Sequence, residues 1–205
     1  MHFGTPTPHQ RECFTRVLKG HIALDRVVFP QGITGYKIDV LARAALWEVG
    51  LDYNHGTGHG VGHFLNVHEG PQGIGARKPW DEHEIKAGMT ITNEPGYYES
   101  GAFGIRIENV LLVKTVQTPF NFNNKQYLGF EHITVVCIPH FSKQFTQFVQ
   151  IKVPIQTSLI EKSLLISAEI KWINDYNKKC FDTLSPLLKD DNLSMTFLQE
   201  ITTPI

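Results

Sequence analysis

Residues 55–70 read HGTGHGVGHFLNVHEG, four histidines interleaved with five glycines. Glycine inside a helix costs roughly 1 kcal/mol relative to alanine, so this composition excludes a regular helix and predicts loop and short strand. Glycine also lets backbone approach closely, which suits imidazoles that must converge on a ligand. His59 and His63 stand four apart, as in a helical zinc motif. The intervening GVG is poor helix material, however, and the glutamate that should follow the first histidine is absent. Taken singly, each histidine reads most plainly as part of a polar surface loop. Their role depends on the segments around them.

Upstream, Thr7 and Pro8 form a helix start, an N-cap followed by a proline in the first turn. Phe14, Leu18, Ile22, Ala23 and Val27 then recur at helical spacing until PQGITG breaks the run. A second helix is predicted with Ile38, Leu41, Ala45 and Leu46 on one stripe and Gly50 just past its end. Downstream, MTITNE places Thr90, Thr92 and Glu94 on one face of a strand. GIRIENVLLV sets Ile105 and Ile107 against Arg106 and Glu108. Two strands joined by a loop holding Gly96, Gly101 and Gly104 predict a hairpin with Glu94 and Glu108 on the same side. Carboxylates drawn into a sheet need a compensating charge, and a metal ion supplies one. One imidazole with two carboxylates is a mixed N/O donor set suited to Mn²⁺, Co²⁺ or Zn²⁺.

Charge narrows the partners. A net charge of −1 over 205 residues, with scattered Lys and Arg, offers no basic stripe for nucleic acid. No apolar run approaches the ~20 residues that span a bilayer. The N-terminus carries no secretory pattern, and Cys13, Cys137 and Cys180 are unpatterned, so reduced thiols and a cytoplasmic location are expected. NLS at Asn192 fits a glycosylation pattern that would be silent there. Near the C-terminus, Ile173, Tyr176, Cys180, Leu184 and Leu187 predict a helix, capped by Ser167 and kinked or ended by Pro186.

HGTGHGVG, NVHEGP, AGMTITNEPGYY and GAFGIRIENV together resemble the catalytic domain of cytosolic Xaa-Pro aminopeptidase (aminopeptidase P), a pita-bread-fold metallopeptidase. FNFNN, FEHITVV, PIQT and WINDYN resemble segments that follow in that family, so the resemblance covers nearly the whole chain. It implies an α+β fold: a partial pita-bread (creatinase/aminopeptidase-like) domain with a curved antiparallel sheet, plus a C-terminal helical extension. Residues 1–136 are then the C-terminal part of the catalytic domain, 137–152 an insertion, and 153–205 the family's C-terminal extension.

The resemblance also assigns roles. His59, Glu94 and Glu108 match metal ligands, Glu108 bridging two ions and Glu94 doubling as general base. His55 and His68 match histidines that bind substrate and steady the tetrahedral intermediate. Tyr98 and Arg106 fall among polar groups around the cluster, and His63 is given no role. The implied reaction is manganese-dependent release of the N-terminal residue from small peptides with proline second, zinc or cobalt being alternative metals. The family's full-length members imply a homodimer.

Two aspartates of the family's five-ligand site, and a further histidine, fall before Met1 in this resemblance. Asp25 and Asp39 lie in predicted helices away from the cluster and are not expected to replace them. At most one ion is then expected here, with little or no peptidase activity from the chain alone. Two other readings stand beside this one: a prolidase-like pita-bread hydrolase that cuts dipeptides, and a catalytically dead remnant that binds peptides or proteins.

Overall fold

A computed structural model describes residues 2, 4–64, 66–77, 82–133 and 153–205. The chain divides into two compact units, Arg16–Ile133 and the combination of Met1–Thr15 with Thr134–Ile205. The anticipated boundaries at 137 and 152 lie outside the described residues, as does Cys137.

Helix α1 covers Pro8–Asp25. Thr7 Oγ1 accepts from the Gln10 amide at 3.2 Å and Gln10 Oε1 accepts from the Thr7 amide at 2.9 Å. This reciprocal capping box satisfies two donors that a helix start otherwise leaves orphaned. The helix stops before Val27, short of the predicted periodicity. Strand β1 (Phe29–Pro30) begins there, and a residue ahead of proline is pushed from helical to extended backbone. Ala23 is exposed and Leu24 buried, so the true stripe lies one residue over at this end.

Helix α2 covers Gly35–Trp47 and buries Ile38, Ala42, Ala45 and Leu46. It closes as foreseen: Gly50 adopts φ 75°, its amide bonds Trp47 O at 3.0 Å, and the Leu51 amide bonds Leu46 O at 3.0 Å. These two bonds are the Schellman pattern.

Strands β2 (Gly58–His59) and β3 (Gly73–Ile74) pair antiparallel, and β4 is Thr90–Asn93. The predicted single hairpin is in fact nested. Strands β5 (Gly96–Glu99) and β6 (Phe103–Arg106) form an inner hairpin, while β4 pairs with β7 (Asn109–Val116) outside it. Pro95 has no amide to donate, which ends the outer ladder at Asn93 and lets a second one start. With β8 (Tyr127–His132), the main antiparallel sheet runs β1-β8-β7-β4. Its buried face and α2 enclose a core that includes Ile38, Ala42, Ile91, Leu111, Val113 and Leu128. Each of these side chains larger than Ala42 stabilises the fold by about 1.5–3 kcal/mol relative to exposure.

In the other unit, α3 covers Ser167–Leu184 and α4 Asn192–Ile201. Ile173, Tyr176 and Cys180 are buried as expected, but Leu187 is exposed in a short turn of 3-10 helix holding Pro186. The N-cap is Ile166, not Ser167: Glu169 reaches back to accept from the Ile166 amide at 2.9 Å. Buried Asn177 bonds both backbone groups of Ile155, donating at 3.1 Å and accepting at 2.8 Å. Cys13 and Cys180 are buried, and neither is in a disulfide among the described residues. No helix among the described residues is long and apolar enough to cross a membrane.

Candidate metal centre

The glycine-rich stretch forms β2 and flanking loops, and it lies directly against β4. An added Cβ at Gly58 would stand 1.9 Å from Thr92 O, so only glycine permits this approach. The His59 amide donates to Thr92 Oγ1 at 2.9 Å, and the Thr92 hydroxyl donates to Glu94 Oε1 at 3.0 Å. The Glu94 amide in turn donates to Thr57 O at 2.7 Å. Backbone and one hydroxyl thus fix His59 beside Glu94.

The His59 ring is oriented from its far side. Nδ1 lies 2.9 Å from Gly60 O, which accepts the Nδ1 proton and leaves the Nε2 lone pair outward. That lone pair sits 3.2 Å from Glu94 Oε1. A lone pair and a carboxylate oxygen so close need positive charge between them, either a proton or a cation. Two donors of a tetrahedral ion at about 2.1 Å stand about 3.4 Å apart, so the spacing fits a shared metal. His68 packs edge-on against the His59 ring, with centroids 4.3 Å apart.

A second line of contacts leads out of Glu94. Arg106 Nη1 lies 3.6 Å from Glu94 Oε2, and Arg106 Nε donates to the Tyr98 hydroxyl at 2.8 Å. The same hydroxyl stands 3.1 Å from His55 Nε2, whose Nδ1 contacts Gly56 O at 2.8 Å. His55, Tyr98, Arg106, Glu94, His59 and His68 therefore form one continuous chain of contacts. Glu108 joins it through charge. Burial, then the neighbouring Glu94 charge, raises its carboxyl above the usual range, opposed by Arg106, His59 and His68. Its oxygens do not close a three-donor cluster with His59 and Glu94 within 4.8 Å. His63 stacks on Phe64, with centroids 5.8 Å apart.

Both unassigned aspartates are engaged elsewhere. Asp25 Oδ1 lies 2.6 Å from His132 Nε2, and Asp39 holds Arg43 Nε at 2.7 Å. The Asp39–Arg43 pair escaped the sequence reading, although its spacing of four along a helix was visible there. Arg43 also donates to Asp52 Oδ1 at 2.8 Å, Tyr53 O at 2.7 Å and His55 O at 2.9 Å. Asp39 accepts from the Thr57 hydroxyl as well. This buried network on α2 holds the loop that carries His55. Beside it lies a cleft of about 210 Å³ bounded by Tyr53, Asn54, His55, Gly75 and Arg77.

The chain matches metallopeptidase family M24 over residues 1–115 and the C-terminal region of peptidase M24 over residues 144–205. It is 55% identical over 204 residues to a probable Xaa-Pro aminopeptidase P of Coprinopsis cinerea, covering 100% of this chain and 30% of that protein. The structure resembles X-prolyl aminopeptidase from Caenorhabditis elegans, described as a cytosolic enzyme with a di-nuclear active site. That match has a TM-score of 0.81 and 39% identity, over 100% of this chain and 30% of the other. Prolidase from Pyrococcus horikoshii OT3 matches at TM-score 0.51 and 31% identity, over 64% of this chain and 33% of that one. The chain spans about 30% of the curated relatives' length. The α+β, partial pita-bread expectation is borne out.

Proposed function

The chain belongs to metallopeptidase family M24, and on that premise we propose that it forms part of a metal-dependent Xaa-Pro aminopeptidase. The complete protein would release the N-terminal residue from small peptides whose second residue is proline. The observation that carries this is the His59 Nε2–Glu94 Oε1 juxtaposition at 3.2 Å, with Nδ1 already committed to Gly60 O. Similarity to the Coprinopsis cinerea and Caenorhabditis elegans proteins extends along the whole chain, whereas the prolidase match covers 64% of it, which favours the aminopeptidase reading.

His59, Glu94 and Glu108 would hold a divalent cation, with manganese first and zinc or cobalt next. Bound there, the cation supplies Lewis acidity toward the scissile carbonyl. Glu94 takes a proton from the attacking water, and Thr92 keeps its carboxylate aimed. Arg106 offsets charge on Glu94 and also holds Tyr98, whose hydroxyl reaches His55. His55 and His68 donate to the substrate and to the oxyanion that develops from its carbonyl. A bond preceding proline has no N–H, so positioning must come from such side chains. We assign a cytoplasmic location, in keeping with the description of the nematode enzyme, and a homodimer for the complete protein.

The test is metal content of the purified chain after Mn²⁺ loading. About one ion per chain, lost in His59→Ala, is expected for this partial ligand set. Equal metal in both proteins would overturn the assignment. In the complete protein, Glu94→Gln is expected to slow hydrolysis of an Arg-Pro-Pro peptide about 10²–10⁴-fold.

A further inference from the structure

His21, Asn93 and Asn109 are buried to 0%, 0% and 3% exposure and have no part in the chemistry above. They meet at one place. From α1, His21 Nε2 donates to Asn109 Oδ1 at 2.8 Å, and the His21 carbonyl accepts from Asn93 Nδ2 at 3.0 Å. Asn93 and Asn109 face each other across the last rung of the β4–β7 ladder. Asn93 immediately precedes Glu94, and Asn109 immediately follows Glu108. The His21 ring also meets the backbone of Ile107, on the other side of Glu108. One helical residue therefore grips the chain beside both glutamates.

Packing alone does not account for a histidine here. A leucine or phenylalanine would fill such a volume without the cost of burying polar nitrogens. Burial, countered in part by Asp25 and Asn109, lowers the His21 pKa to about 4, so the ring is neutral and carries a single N–H. What the imidazole adds is a directional donor. Asp25 on α1 and His132 on β8, 2.6 Å apart, are the other titratable groups acting on it.

We infer that His21 is a positioning residue: by holding Asn109 and Asn93 together it sets the separation of Glu108 and Glu94. The inference rests on the reading of those glutamates as metal ligands. Hydrogen bonds that orient ligands from behind typically change metal affinity by about 10–100-fold.

The experiment is amide hydrogen exchange on the metal-free 205-residue chain, paired with Mn²⁺ titration of the same samples. In His21→Leu, exchange at Glu94 and residues 107–110 is expected to quicken about tenfold, with residues 42–46 of α2 unchanged, and Mn²⁺ binding to weaken at least as much. His21→Gln, whose amide donates from a similar place, is expected to restore both. Unchanged local exchange in His21→Leu, or no restoration by glutamine, would overturn the positioning role. If His21→Leu unfolds the whole chain, Asn109→Ala removes the ring's side-chain acceptor and leaves the imidazole in place, and it is read by the same criteria. Local loosening in a chain that never binds Mn²⁺ supports the clamp and sinks the metal assignment. Equal Mn²⁺ binding with equal exchange in native and His21→Leu does the reverse.

Discussion

Arg43 and Arg106 each face a carboxylate and a tyrosine, and each leads to His55, yet they are built for different ends. Arg43 is 5% exposed, and all five of its N–H groups are engaged: Asp39 twice, Asp52, Tyr53 O and His55 O. Its guanidinium also lies 3.9 Å from the centre of the Tyr53 ring. Arg106 is 45% exposed, stands 3.6 Å from Glu94 Oε2, and lies 5.7 Å from the Tyr98 ring. The first arginine is saturated and holds a loop in place. The second keeps donors in reserve, which is what a group that must meet a substrate requires. The same residue types thus serve structure or chemistry according to how completely they are partnered.

The comparison breaks most readily at Arg43. Replacing it with alanine strands Asp39 as a buried charge and is expected to cost about 3–5 kcal/mol, read by urea denaturation. A loss under about 1 kcal/mol would mean that the network is ornamental. Next comes acid. His21 has its pKa lowered by burial from 6.5 to about 4, so between these values the unfolded chain binds the proton that the native chain refuses. Stability should therefore fall as pH drops through 6.5 toward 4, by up to about 3 kcal/mol, and His21→Gln should remove that part of the slope. Arg106→Gln sharpens the contrast: stability is expected to change by less than about 1 kcal/mol, while hydrolysis by the complete protein falls measurably. Smallest of all, Lys171→Ala breaks an exposed pair with Asp175 on α3 and should cost about 0.3–0.5 kcal/mol in thermal unfolding.

Periodicity made α1, α2, α3 and the antiparallel partnership of β4 with β7 legible, because each buries one face in a regular core. Alternation also put Thr92 and Glu94 on one face, where the hydroxyl does meet the carboxylate. What pattern missed were interactions that cross between elements. The inner hairpin was hidden because Ile105 to Val113 reads as one uninterrupted β-prone run, and only pairing reveals the joint at Ile107–Glu108. Asp39 and Arg43 were legible as a helical pair, but not as the support of a loop more than ten residues on. His21 looked like one more residue in a helical run, since its partners lie 72 and 88 positions away.

The nesting of one hairpin inside another places Glu94 and Glu108 at the joints between two ladders, with the inner turn at Ser100–Ala102 leading away from them. Exposed turns of this kind accept insertions with little loss of stability. The tip can therefore lengthen, shorten or change composition while the outer ladder keeps the carboxylates where they are. Such a scaffold separates the part of a site that evolution must preserve from the part it is free to vary, and it offers the Ser100–Ala102 turn as the place to graft new recognition.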